Sequence, residues 1–301
     1  MFKFIKGLIT FVLVIVIVIG IGLVVVANLT PRHLGLTQLN IGGKTIEELG
    51  LSDTKLKDIY KAFNSLSDGA SVVDNPYDEQ KEQQQASDNM QGSTMTGDNY
   101  MPLLTDKVVY DKQYVKVYKD TTLAYIFNNI VESASGEEGA ISQLRELDVK
   151  IRQLTISLEN DSAFMRVIGE VSVADFKEQI KQSLGALASF VKIPDSVFIV
   201  CDYSLTADSE GAVHLETLSY SINGQENDPV INALLDIAQS SAGSFDVQRI
   251  CNQLGEAIST VIGNLGLVAQ ATAGTDGSAT EIVYGMGGVA DGSLTVVTHT
   301  A

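Results

Sequence analysis

The chain has 301 residues, 45% of them hydrophobic, and a formal net charge of −17. So acidic a surface repels nucleic-acid phosphates and anionic lipid headgroups, which argues against a nucleic-acid partner. Its three histidines, His33, His214 and His299, stand far apart and far from both cysteines, so no transition-metal ligand spacing is present.

The first element in chain order is an anchor. Gly7 to Ala27 is a run of 21 residues without a charge, mostly Val, Ile and Leu. As a helix it is about 31 Å long, against a bilayer hydrocarbon core of about 30 Å. One span in lipid must satisfy its own backbone hydrogen bonds, so helix is the only option despite the β-branched residues. Lys3 and Lys6 are the only charges before residue 30. The positive-inside bias therefore leaves residues 1–6 in the cytosol, makes 7–28 a transmembrane helix and sends the bulk of the chain outside. A cleaved signal peptide ending near Ala27 is the alternative, but its apolar region usually spans only about 7–15 residues.

Residues 29–69 read as a short juxtamembrane segment. Thr45 and Glu48 fit a capping box, and Leu56, Ile59, Tyr60, Phe63 and Leu66 recur at helical spacing over 53–67. Residues 70–100 are polar without an apolar period and read as a flexible linker.

The remainder, 101–301, reads as an α+β domain of antiparallel strands packed with several amphipathic helices. Lys107–Lys119 alternates as a strand. Asp120 can cap a helix whose apolar stripe is Leu123, Ile126, Phe127, Ile130, Val131 and Ala134. Leu147–Leu158 is a strand whose apolar parity flips near Arg152, which points to a bulge there or to cover on both faces. Phe164–Val173 is a further strand, followed by a helix over Phe176–Leu187. Phe198–Leu205 and Ala212–Ile222 pair as a hairpin. Asp228-Pro229 opens a helix. Ser244 caps another, which carries Ile250, Cys251, Leu254 and Ile258 inward and stops at Gly266. Strands over Leu267–Thr272, Thr280–Tyr284 and Ser293–Thr300, with Asp-Gly turns at 276–277 and 291–292, complete a meander.

Few constellations carry chemistry. Tyr110, Lys112, Tyr114, Lys116 and Tyr118 share a strand face and form an aromatic–basic candidate surface for a ligand or partner, although Tyr and Lys also suit an ordinary exposed strand. Cys201 and Cys251 can pair as a disulfide in an oxidising compartment, or pack as two buried thiols. The glycine-rich stretch Gly285–Ser293 lacks the lysine and the following helix that a phosphate loop requires, and reads as a turn. Ser-x-x-Lys occurs at Ser52–Lys55 and Ser189–Lys192. Neither copy has the companion motifs of a Ser-Lys hydrolase, so that activity is a remote alternative. No cofactor or metal site is expected.

Two stretches, Thr121–Ile130 and His214–Gly224 leading into Val230–Leu235, resemble small bacterial membrane-anchored proteins of the YpmS-like, lipid-binding TULIP-like kind. The resemblance covers about half of the exported region. It implies a short cytosolic start, one span, and an exported domain of long strands curled about a helix with an apolar groove, and it carries over no ligand residue. The expected function is thus a non-enzymatic cell-envelope protein that binds a lipid-like or other apolar ligand. The alternative is a structural or assembly factor that contacts another envelope protein.

Overall fold

The structure, a computed structural model, describes residues 27–41, 44–91, 113–133, 139–174, 177–178, 194–208, 212–225, 228–233, 236, 246–273 and 282–300. The expected transmembrane helix, 7–28, lies outside these residues except at Ala27 and Asn28. Among the described residues, no helix is long and apolar enough to cross a membrane.

The fold is α+β with antiparallel sheets. Its elements are β1 (Asn40–Ile41), β2 (Lys44–Thr45), α1 (Leu56–Ser65), α2 (Glu79–Gln91), β3 (Gln113–Lys119), α3 (Asp120–Ser133), α4 (Ala140–Glu146), β4 (Lys150–Glu159), β5 (Ser162–Ser172), β6 (Ser196–Ala207), β7 (Val213–Ile222), α5 (Val247–Ala273), β8 (Ile282–Ala290) and β9 (Ser293–Thr300). The sheets are β1-β2, β3-β9-β8 and β4-β5-β6-β7. The chain divides into two compact units. One gathers 1–72, 171–198 and 221–247, and the other 73–170, 199–220 and 248–301.

In the first unit, the Thr45–Glu48 pair makes both bonds of a capping box. Glu48 N–H donates to Thr45 Oγ1 at 3.1 Å, and Thr45 N–H donates to the Glu48 carboxylate at 2.6 Å. The bond from the Thr45 N–H holds the Glu48 carboxyl below its ordinary range. The box closes a turn rather than opening a helix, and Ile46, Leu49 and Leu51 bury behind it. Asp228 caps as expected, its carboxylate accepting from the N–H groups of Val230 and Ile231 at 2.8 and 3.1 Å. Asn223, buried and left-handed at φ 49°, ties its side-chain oxygen to the Phe198 N–H at 2.7 Å. A Cβ on Gly69 would stand 2.3 Å from that oxygen, so only glycine fits at 69.

In the second unit, Asn160 and Asp161 both have positive φ and close the two-residue turn between β4 and β5. The parity flip in β4 is a bulge: the register slips between Ile151 and Gln153, leaving Arg152 extra. Helix α3 packs on β4 and buries Leu123, Ile126, Phe127 and Val131. The Asp291-Gly292 turn, with Gly292 at φ 72°, joins β8 to β9. Two bonds pin that turn: the Asp291 carboxylate accepts from Leu158 N–H, and Gly292 N–H donates to the Ile156 carbonyl, both at 2.8 Å.

Three expectations change. Residues 79–91, read as part of a flexible linker, form helix α2. Its anchor is polar, which is why no apolar period marks it: Glu82, only 3% exposed, accepts from Thr122 Oγ1 of α3 at 2.6 Å. Helix α5 does not stop at Gly266 but runs to Ala273, so Leu267–Thr272 is helical and not a strand. An interior glycine costs a helix only about 1 kcal/mol, and the face from Ile250 to Leu265 is buried. The glycine-rich stretch 285–290, read as a turn, is the end of strand β8, and only Asp291-Gly292 turns.

Candidate functional site

Within the aromatic–basic stripe, one side chain, Tyr118, departs from the expected surface. Tyr110 and Lys112 lie outside the described residues. Tyr114 and Lys116 lie on β3, opposite Thr298 and Val296 of β9. Tyr118 is 0% exposed, and burial pushes its phenol up to about 12. It is a core side chain, and its place in an exposed stripe is corrected: β3 directly precedes α3, and the strand's end turns inward there.

Cys201 and Cys251 are both buried thiols and are not joined as a disulfide. Between them lies Tyr203, whose hydroxyl donates to the Cys251 carbonyl at 2.7 Å. Burial and the neighbouring thiols push the Tyr203 phenol well up. The ring lies along one turn of α5, since a Cβ on Gly255 would stand 3.0 Å from Tyr203 Cε1. This cluster is sealed, so it closes the core rather than meeting a ligand.

The histidines are dispersed. His33 bonds Thr30 Oγ1 at 2.7 Å, and His214 bonds Asp208 at 3.1 Å. Among the described residues, no group of three acidic, histidine or cysteine side chains could hold a metal ion. Ser52 is buried while Lys55 is exposed, and Ser189 with Lys192 lies outside the described residues.

What remains are the exposed and half-exposed positions of β6 and β7. Strand alternation puts Ile199, Cys201, Tyr203 and Leu205 of β6 on one face, all buried. The opposite positions Val200, Asp202 and Ser204 are half-exposed. On β7, Leu215 meets α5 at Gly255, and Thr217 bonds Asn252 of α5 at 3.0 Å. His214, Glu216, Leu218 and Tyr220 of the same strand are all exposed. Leu218 is 54% and Tyr220 41% exposed, and among the described residues β7 is the last strand of its sheet.

A polar bridge links β5, β6 and β7. Arg166 of β5 donates to both oxygens of Asp202, at 2.7 and 3.1 Å, and Ser219 Oγ donates to the same carboxylate at 3.0 Å. Partial burial pushes the Asp202 carboxyl up, but the Arg166 and Ser219 hydrogen bonds and the guanidinium charge outweigh it and hold it below its usual range. The bridge ties three neighbouring strands together, and Leu218 and Tyr220 stand exposed on the outermost of the three. Periodicity had marked the buried face of β6 but could not mark Leu218 and Tyr220. Which strand ends a sheet depends on pairings distant in sequence.

No family model, no curated protein and no solved structure matches this chain.

Proposed function

We propose that this is a single-pass cell-membrane protein, its N-terminus cytosolic and its bulk extracytoplasmic, that acts by binding and not by catalysis. The charge-free run at 7–28 behind Lys3 and Lys6 supports the anchor. One observation supports binding above all: Leu218 and Tyr220 stand exposed on a strand that ends its sheet among the described residues and carries neither lysine nor proline. Exposed sheet edges accept an added strand from another chain.

The occupant that suits this surface is another envelope protein, which the sheet edge would recognise through backbone hydrogen bonds and the two apolar side chains. The resemblance to lipid-binding envelope proteins supports the other reading, an acyl chain or similar apolar ligand. Such a ligand needs walls on several sides, and Leu218 is 54% exposed on the outer strand of its sheet.

The test places a photo-crosslinking residue at Leu218 in full-length protein in native membranes. One dominant protein adduct is expected, lost on Tyr220→Arg. Absence of any adduct, with lipid co-purifying in defined stoichiometry, would overturn the protein-partner reading in favour of a lipid ligand.

A further inference from the structure

The exposed side of α1 runs against the charge of the chain as a whole. Lys57, Tyr60 and Lys61 follow the i, i+3, i+4 spacing that stacks side chains on one helix face, and all three are exposed. Tyr60, placed on the apolar stripe by periodicity, is instead 66% exposed. The opposite side turns inward at Ala62. Lys55, at the helix entry, adds a third exposed ammonium, while exposed Asp58 is the acidic residue within α1. Asp53 nearby is taken by Arg32 at 3.0 Å.

The position of this helix is fixed by the chain that precedes it. Lys57 N–H donates to the carbonyl of Ala27, and Leu56 N–H to that of Leu29, both at 3.0 Å. The otherwise unsatisfied amides of the first turn of α1 are thus closed by the residues that end the apolar run. Ala27 is the last residue of a stretch matched to the hydrocarbon thickness. A helix bonded to it starts at the level of the headgroups.

We propose that the Lys57–Tyr60–Lys61 face of α1 docks on the outer surface of the membrane that holds residues 7–28. Both ammonium groups meet the phosphates of anionic lipid, and the Tyr60 ring sits at the headgroup–acyl boundary. The inference rests on the anchored-protein reading above. Tyrosine is enriched at that boundary because its ring is apolar and its hydroxyl polar, and lysine stems reach outward to phosphate. The net charge of −17 repels the remainder of the surface from the same lipid. Attraction confined to α1 would therefore set one side of the first unit toward the bilayer.

The chain has no tryptophan, so Tyr60→Trp introduces a single indole into the full-length protein. The protein is reconstituted into phosphatidylcholine vesicles with and without phosphatidylglycerol, with lipids brominated near the headgroup as quenchers. The expected result is a blue-shifted indole quenched by shallow bromines, more strongly with phosphatidylglycerol. Adding Lys57→Gln and Lys61→Gln should remove at least about half of that difference and its salt dependence. A fully hydrated indole, unquenched in either lipid while the protein resists alkaline carbonate extraction, overturns the docking proposal and leaves the anchor standing. Release of the protein by carbonate overturns the anchor and this proposal together.

Discussion

Strand β6 has two faces with opposite fates. The odd positions Ile199, Cys201, Tyr203 and Leu205 are closed, with Tyr203 bonded to α5 through the Cys251 carbonyl. The even positions meet water, and their main fixed feature is the Asp202 bridge to Arg166 and Ser219. The same backbone thus supplies a core layer and a solvent-facing layer. Side chains on the closed face are fixed by volume and hydrogen bonding, so changes there cost stability. Side chains on the open face contribute little to folding, which leaves them available for recognition.

The largest contrast is expected at Tyr203. Replacing it with alanine removes a fully buried ring and its bond to α5, and should cost about 3–5 kcal/mol in urea unfolding. Tyr203→Phe keeps the ring. The Cys251 carbonyl still accepts from the helix N–H four residues on, so the loss should be about 1 kcal/mol. Equal losses for the two variants would mean that the hydroxyl, not the packing, holds α5 to the sheet.

Gly255 should show a smaller effect on the same closed face. In an exposed helix, Gly→Ala stabilises by about 1 kcal/mol. Here the new Cβ would stand 3.0 Å from Tyr203 Cε1 and 3.5 Å from Leu215 Cβ and its carbonyl oxygen. Tyr203 is 0% exposed and tied at its hydroxyl, so it cannot swing away. Overpacking of about 1–3 kcal/mol should outweigh the propensity gain, leaving Gly255→Ala destabilised by about 1 kcal/mol in the same denaturant series. A stabilised Gly255→Ala would show that the sheet and α5 can separate cheaply.

Much of this architecture was legible from periodicity and turn chemistry. The buried face of β6, the Arg152 bulge, the Asp228 cap and the 291–292 turn each follow from a few adjacent residues. Helix α2 was not legible, because Glu82 and Thr122 hold it through one buried hydrogen bond between residues 40 positions apart. Gly266 misled because a glycine signals a helix end only where the apolar face also ends. Tyr118 and Tyr60 exchanged roles: the tyrosine assigned to a surface is core, and the one assigned to a core stripe is exposed. Tyrosine suits both environments, so its pattern does not separate them. The open sheet face was illegible for the same long-range reason as α2.

The smallest effect belongs to the open face, and its pH dependence identifies it. Arg166 has 58% of its side chain exposed, so water screens the pair, and Arg166→Ala should cost only about 0.5 kcal/mol at neutral pH. The Asp202 carboxyl is held below its ordinary value of about 3.9. A depressed carboxylate contributes stability above its unfolded value and loses it as pH falls through the folded one. The difference between parent and Arg166→Ala should therefore be constant from pH 7 to about 5, shrink below about pH 4, and fall in high salt. The partner adduct at Leu218 should meanwhile survive Arg166→Ala, since the apolar pair and the strand edge remain. A salt-insensitive loss of several kcal/mol would place Arg166 among the closed-face residues and remove the distinction between the two sides of β6.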